Sequence, residues 1–174
     1  MIKGADYLLA KWMPADLSNY RQAARDTYDK IIIHCTDGRA YADAVAKMWQ
    51  QPHHGSSAHF VIGQDGTVIQ CVSLRDVAFH AHLVNRDSVG IEHSCRTPGE
   101  LGHDDKGLPP TEVQLMAGAK LVAWLCHRAN LAVNRTNIMG HAEADKSTTH
   151  TGCPTSAGID LDAYVDRVIR VYNF

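Results

Sequence analysis

Short apolar runs alternate with longer amphipathic segments along the chain, and this pattern predicts a mixture of strands and helices. Apolar runs rich in β-branched residues predict buried strands at 29–35, 58–63, 68–72 and 88–94, with a short strand at 137–139. Apolar positions that recur with a helical period predict helices at 41–51, 112–129 and 160–172. The Asp65-Gly66 turn predicts that the second and third strands form a hairpin.

The strand predicted at 88–94 carries a charge. Val89 and Ile91 point to one face, whereas Glu92 points to the other among Ser88, Gly90 and Ser94. A buried carboxylate is costly unless it is paired with a cation or takes part in chemistry. Glu92 is therefore either a catalytic candidate or the partner of an Arg or Lys at the edge of the sheet.

Two stretches carry no regular pattern. Residues 96–110 are rich in Gly, Pro and Asp and are expected to form an exposed loop. Residues 1–29 are expected to be an N-terminal extension packed on a single domain of residues 30–174.

Composition excludes several classes of protein. The net charge of −2 gives no basic stripe for nucleic acid, and no apolar run approaches the ~20 residues of a membrane span. The N-terminus lacks the apolar core of a signal peptide, so synthesis in the cytoplasm is expected. The five cysteines are odd in number and lack CxxC spacing, which favours reduced thiols over a disulfide framework. We expect a monomer.

Candidate chemistry centres on the polar loop at 139–155, where His141 and Cys153 stand twelve positions apart. Imidazole and thiolate are preferred ligands of Zn²⁺, and a metal would hold a loop that has little apolar content. His34, at the end of the first strong strand, is a third candidate ligand. Three protein ligands leave one position open, as in a catalytic zinc site. The alternatives are a hydrogen-bonded core histidine with a small buried cysteine, or a structural zinc with His150 as fourth ligand.

The order of several short motifs resembles that of the zinc-dependent N-acetylmuramoyl-L-alanine amidases, a family of phage lysozyme-amidases, bacterial recycling amidases and animal peptidoglycan-recognition proteins. The motifs are IIIHCTDG, SSAHFVIGQDGTVIQCV, AFHAH, NRDSVGIEH, GHAEAD and TGCPT, and the resemblance runs from about residue 30 to 172. It implies zinc bound by His34, His141 and Cys153. It also implies hydrolysis of the amide between N-acetylmuramic acid and L-alanine. The expected fold is one α/β domain, a central mixed β-sheet flanked by the three predicted helices.

The resemblance also implies roles for other residues. Glu92 is similar to the general base of recycling-type amidases, and Thr151, two residues before the cysteine, corresponds to a donor for the oxyanion. Ala58 stands where many short amidases have a tyrosine, which leaves more of the chemistry to Glu92. The positions expected to line the substrate groove are His59, His80 and Asn85, although an asparagine at such a position is more often a turn residue than a ligand contact.

Cys153 resembles the cysteine of the phage and recognition-protein branch, and its presence favours an active enzyme. With no signal peptide evident, a phage or prophage endolysin that reaches the cell wall through a holin is the expected setting. The alternatives are a cytoplasmic enzyme of muropeptide recycling and a module that recognises peptidoglycan without cutting it.

Overall fold

The computed structural model describes residues 4–38, 41–99 and 106–173. The strands are β1 (Lys11–Trp12), β2 (Tyr20–Arg21), β3 (Lys30–Cys35), β4 (Phe60–Ile62), β5 (Val68–Gln70), β6 (Val77–Ala78), β7 (Ser88–His93) and β8 (Ile138–Gly140). The helices are α1 (Ala42–Trp49), α2 (Glu112–Ala129), α3 (His141–Ala144) and α4 (Leu161–Tyr172). Every strand and helix predicted from the pattern is present, with ends shifted by up to two residues.

The central sheet has the strand order β1-β5-β4-β7-β3-β8, and β2 pairs separately with β6. Only the β4–β5 hairpin is antiparallel within the central sheet, while the other pairs are parallel. The predicted mixed sheet and the hairpin at Asp65-Gly66 are both confirmed. The two-residue strands β1, β2 and β6 are too short to leave a periodic signal in the sequence.

Helices cover both faces of the sheet. Helix α1 packs on β4 and β5, while α2 and α4 pack against each other on the opposite face. Alternation along β3 sorts its residues, since Ile31, Ile33 and Cys35 join the core beneath α2 and α4. His34 lies between Ile33 and Cys35 in the strand, so its side chain points to the other face of the sheet. The predicted α/β architecture with flanking helices is confirmed.

Caps fix the start of the two long helices. The Thr111 hydroxyl oxygen accepts from the Gln114 backbone N–H at 3.1 Å, and the Asp160 carboxylate accepts from the first N–H groups of α4. The loop predicted before α2 is partly described, and Arg96 pairs with Leu108 across it. Residues 100–105, with His103, lie outside the described part of the chain.

Residues 4–29 contact the sheet in two ways. Strand β1 adds to the edge of the sheet beside β5. The Arg25 guanidinium donates to the carbonyls of Leu74, Arg86 and Ser88, each at 2.8 Å. These bonds connect the early chain to the segment that leads into β7.

Two further features concern the cysteines and the apolar character of the helices. All five cysteines are buried free thiols. In the described part of the chain, no helix combines the length and the apolar character needed to cross a bilayer.

Candidate active site

The candidate site lies at the carboxyl ends of the parallel strands β3, β7 and β8, the edge where α/β sheets commonly bind ligands. In the β3–β7 register His34 lies opposite Glu92, so their side chains share one face. Ile33 lies opposite Gly140 in β8, and the chain turns into α3 at His141. Strand register alone therefore brings residues from three distant segments to one place.

His34, His141 and Cys153 form a buried cluster. Their potential ligand atoms all lie within 4.8 Å of one another, and the two imidazole rings are 4.6 Å apart. Ligands of one tetrahedral zinc ion lie about 3.5 to 4 Å apart, given bonds of about 2.0 to 2.3 Å. The three side chains predicted from the sequence thus lie close enough together to bind one ion.

Two backbone hydrogen bonds hold Cys153 in the cluster. The Ala142 N–H donates to the Cys153 carbonyl at 3.0 Å, and the Cys35 N–H donates to Cys153 Sγ at 3.3 Å. Gly140 allows this close approach, because a Cβ there would lie 2.7 Å from Cδ of Pro154. The loop carrying the cysteine is therefore tied to both α3 and β3.

Burial keeps both imidazoles of the cluster in the form that binds metals. It lowers the pKa of His34 well below its usual value, and the neighbouring His80 lowers it further. Burial also lowers the pKa of His141, with a further contribution from His150. Both rings are neutral at pH 7 and so carry a free lone pair.

The surroundings of the Cys153 thiol, by contrast, disfavour the thiolate form that binds metals. Burial raises the pKa of Cys153, the nearby Glu92 carboxylate raises it further, and the Cys35 N–H only partly opposes this. A bound cation would favour the thiolate directly. The cluster also leaves His141 Nε2 buried without a hydrogen-bond partner among the described residues. A nitrogen that lacks a partner and a thiol that needs a positive charge fit a zinc ion at this position.

Glu92 lies at the side of this cluster. Its Oε1 is 4.0 Å from Nδ1 of His34, and its Oε2 is buried without a partner among the described residues. Burial, with a smaller contribution from Asp37, raises the pKa of Glu92 to about 8. No Arg or Lys in the described ranges forms an ion pair with Glu92, so the expected alternative of a sheet-edge ion pair does not describe its surroundings.

A cavity of about 220 Å³ opens over the cluster. Its apolar wall comes from α1 and the segment before His80, and its polar wall from the cluster and Glu92. The residues that define these walls are Val45, Met48, Trp49, Phe79, His80, Glu92 and His150. The arrangement offers a half-enclosed space in which a carbonyl group and a water molecule can meet the cluster.

Two of the residues expected to contact substrate support the cavity from behind. His59 has no exposed surface, and its Nδ1 accepts from the Gly90 N–H at 3.1 Å. The Asn85 side-chain oxygen accepts from the backbone N–H groups of His80 and Ala81. His59 therefore has no surface that a substrate can touch, and Asn85 acts as the turn residue that the sequence also allowed. Of the three, His80 lines the cavity.

The loop before Cys153 carries two candidate oxyanion donors, His150 and Thr151. Thr151 is exposed and lines a neighbouring cavity of about 280 Å³ together with Asp37 and Thr97. His150 lines both cavities, and its ring lies 5.9 Å from that of His141. Cys153 also lines this neighbouring cavity, whereas the cavity over the cluster is lined by His150 and not by Thr151.

Known structures share this fold. A mutant endolysin from Bacillus subtilis superposes with a TM-score of 0.68 and 20% identity, covering 97% of this chain and 99% of that chain. A Drosophila PGRP-LB mutant in complex with tracheal cytotoxin superposes with a TM-score of 0.63 and 20% identity, covering 87% of this chain and 88% of that chain. These likenesses define the class of protein, a domain with the amidase and peptidoglycan-recognition fold.

Sequence comparison identifies the family. The family model described as N-acetylmuramoyl-L-alanine amidase matches residues 24–156, and the chain belongs to that family. N-acetylmuramoyl-L-alanine amidase A of Achromobacter lyticus is 37% identical over 92 residues, which cover 52% of this chain and 50% of that protein. The match thus spans about half the length of this curated relative. The assignment to the amidase family made from the motifs is confirmed.

Proposed function

We propose that this protein hydrolyses the amide bond between N-acetylmuramic acid and L-alanine in peptidoglycan, with zinc as its cofactor. The observation that carries the proposal is the cluster of His34, His141 and Cys153 beside the Glu92 carboxylate in one cavity. Membership of the amidase family and the partial match to the Achromobacter lyticus enzyme support the choice of bond.

The chemistry requires a proton to move twice. Water adds to the carbonyl carbon and loses a proton, the C–N bond breaks, and the departing amine gains a proton. Glu92 is suited to both transfers, because a carboxyl group whose pKa is raised to about 8 can accept and return a proton near neutral pH. Zinc, when bound, supplies Lewis acidity for the carbonyl oxygen and for water. The apolar side chains of Trp49 and Phe79 line the same space.

Two alanine variants test which side chain stabilises the developing oxyanion. We expect His150→Ala to lower kcat by about 100-fold, the usual cost of losing one such donor, and Thr151→Ala to leave kcat nearly unchanged. His54, an exposed histidine outside the cavity, provides the matched control as His54→Ala. Steady-state kinetics on a defined muropeptide would measure all three. A larger loss in Thr151→Ala than in His150→Ala would return the role to the threonine.

The proposed setting is lysis of the bacterial cell wall by an endolysin of a phage or prophage. Solved structures with this fold include both an endolysin and AmpD at the same TM-score of 0.68, so the substrate distinguishes lysis from recycling. An endolysin should cleave intact sacculi at least as well as soluble muropeptides, whereas a recycling enzyme should prefer the soluble fragments.

Digestion of purified peptidoglycan with and without a chelator tests the proposed function. Mass spectrometry of the products should show free stem peptides that begin with L-alanine. These peptides should disappear with chelator and return when zinc is added. A folded, zinc-loaded protein that binds peptidoglycan without releasing stem peptides would instead be a recognition module.

A further inference from the structure

A histidine that binds a metal must present one ring nitrogen with a lone pair, and something must hold the proton on the other nitrogen. His34 Nε2 lies 3.0 Å from Nδ1 of His80. His80 Nε2 in turn lies 3.2 Å from the Ser88 hydroxyl, which donates to the Val84 carbonyl at 2.6 Å. His34 is therefore the last member of a chain of hydrogen bonds that leads away from the cavity.

The direction of every bond in this chain follows from its far end. A carbonyl oxygen only accepts, so the single Ser88 hydroxyl hydrogen points to Val84. Ser88 Oγ must then accept from His80, which places the His80 proton on Nε2 and leaves Nδ1 as an acceptor. His34 accordingly donates from Nε2, and its Nδ1 keeps a lone pair on the side of the ring that lies 4.0 Å from Glu92 Oε1.

The His80 ring is held in place by backbone as well as by this chain. It lies directly against Gly90 of β7, where a Cβ would lie 2.5 Å from His80 Cγ. On its other side, Asn85 accepts from the His80 backbone N–H at 3.0 Å. Gly90 is two residues before Glu92 on the same strand and face, so the His80 ring lies next to the cluster along β7.

We propose that His80 is a positioning residue of the metal site, which holds the proton of His34 on Nε2 and so presents His34 Nδ1 to the metal before the ion arrives. This inference rests on the zinc site of the proposed function. Both ring nitrogens of His80 are engaged, so His80 supports a ligand and is not a fourth ligand itself. Ser88 and Gly90 support the same arrangement. Ser88 accepts a hydrogen bond from His80, and Gly90 leaves room for the His80 ring.

The proton positions are measured directly by ¹⁵N NMR of histidine side chains in the zinc-free protein. We expect both His34 and His80 to carry their proton on Nε2, with unprotonated Nδ1 atoms. A proton on His34 Nδ1 would overturn the proposal. Because this measurement needs neither zinc nor substrate, its outcome is independent of whether the protein proves to be an amidase.

Variants of His80 test the consequence for metal binding. His80→Leu removes the acceptor and should weaken zinc binding by about 10- to 100-fold, the usual cost of losing a group that orients a ligand. His80→Asn keeps an oxygen near the position of Nδ1 and should recover most of that loss. Competition with a chromophoric chelator gives the affinities, and the absorption spectrum of the cobalt-substituted protein reports distortion of the site.

Two further variants separate positioning from general damage to the fold. Gly90→Ala touches no ligand but displaces the His80 ring, so it should weaken zinc binding in the same direction. His127→Asn is the control, because His127 is exposed and stacks on Tyr172 on the opposite side of the sheet. Equal zinc affinity in wild type, His80→Leu and Gly90→Ala would overturn the proposal. Wild-type protein that shows the predicted protons but binds no zinc would instead refute the proposed cofactor.

Discussion

Cys153→Ser is expected to lose zinc on dialysis and, with it, all measurable hydrolysis of peptidoglycan. Sulfur and oxygen are similar enough in size for the serine to occupy the same site and to accept the hydrogen bond from Cys35 N–H. A serine hydroxyl, however, does not ionise to form the anionic ligand that a thiolate provides. We expect zinc affinity to fall by more than about 100-fold, the upper end of the loss that supporting residues alone produce. Elemental analysis of the dialysed protein would measure the retained metal.

A second buried cysteine provides the control for this experiment. Cys71 is fully buried in the apolar cluster under α1, remote from the metal cluster in the sheet order. Cys71→Ser places the same hydroxyl in an apolar setting, so it should lower the thermal midpoint while zinc is retained. If Cys153→Ser kept one equivalent of zinc, Cys153 would not be a ligand.

Glu92→Gln is expected to bind zinc normally and to lose about 10²- to 10⁴-fold in kcat, the range attributed to a general acid–base group. The amide has the shape of the carboxyl group but cannot accept the proton of the attacking water. Zinc content and kcat, measured on the same preparation, separate this result from that of Cys153→Ser.

The pH dependence of the rate shows whether Glu92 acts as a general base. A general base works when deprotonated, so the wild-type rate should fall as pH drops through the pKa of Glu92. Burial raises that pKa to about 8, and a zinc ion beside the carboxylate would lower it. The variant should lack this acidic limb. Glu112→Gln, an exposed change at the start of α2 that removes an ion pair with Arg167, is the matched control. A Glu92→Gln enzyme with a near wild-type rate would exclude Glu92 from the mechanism.

Sequence periodicity was sufficient for most of the fold because the main elements bury one continuous apolar face. The alternation at 88–94 predicted that Val89 and Ile91 face away from Glu92, and the register of β3 and β7 then puts His34 opposite Glu92. The two-residue strands could not be predicted, because their pairing depends on backbone groups of distant strands. Strand β1, for example, is defined by its pairing with Ile69 and Gln70.

Only part of the candidate site could be predicted from the sequence. His34, His141 and Cys153 were found because residue type, spacing and family motif all indicate the same chemistry. The roles of His59 and His80 could not be separated by alternation, since it reports the face of a strand and not what covers that face. The buried contact of His59 with Arg25, at 2.8 Å, comes from a segment with no periodic pattern. Likewise, residue spacing does not show that His150, and not Thr151, lines the cavity over the cluster.

The tethering of Cys153 also bears on how fast the metal exchanges. His34 belongs to strand β3, in which every residue from Ile31 to Cys35 is buried, whereas Cys153 belongs to a run of turns held by a few hydrogen bonds. Segments with few apolar contacts open far more often than core strands. Zinc should therefore leave through local opening of the 145–156 loop, with the sheet intact. Metal loading would slow amide hydrogen exchange in that loop much more than in β3. The bound ion would thus stabilise the part of the cavity wall that opens most readily.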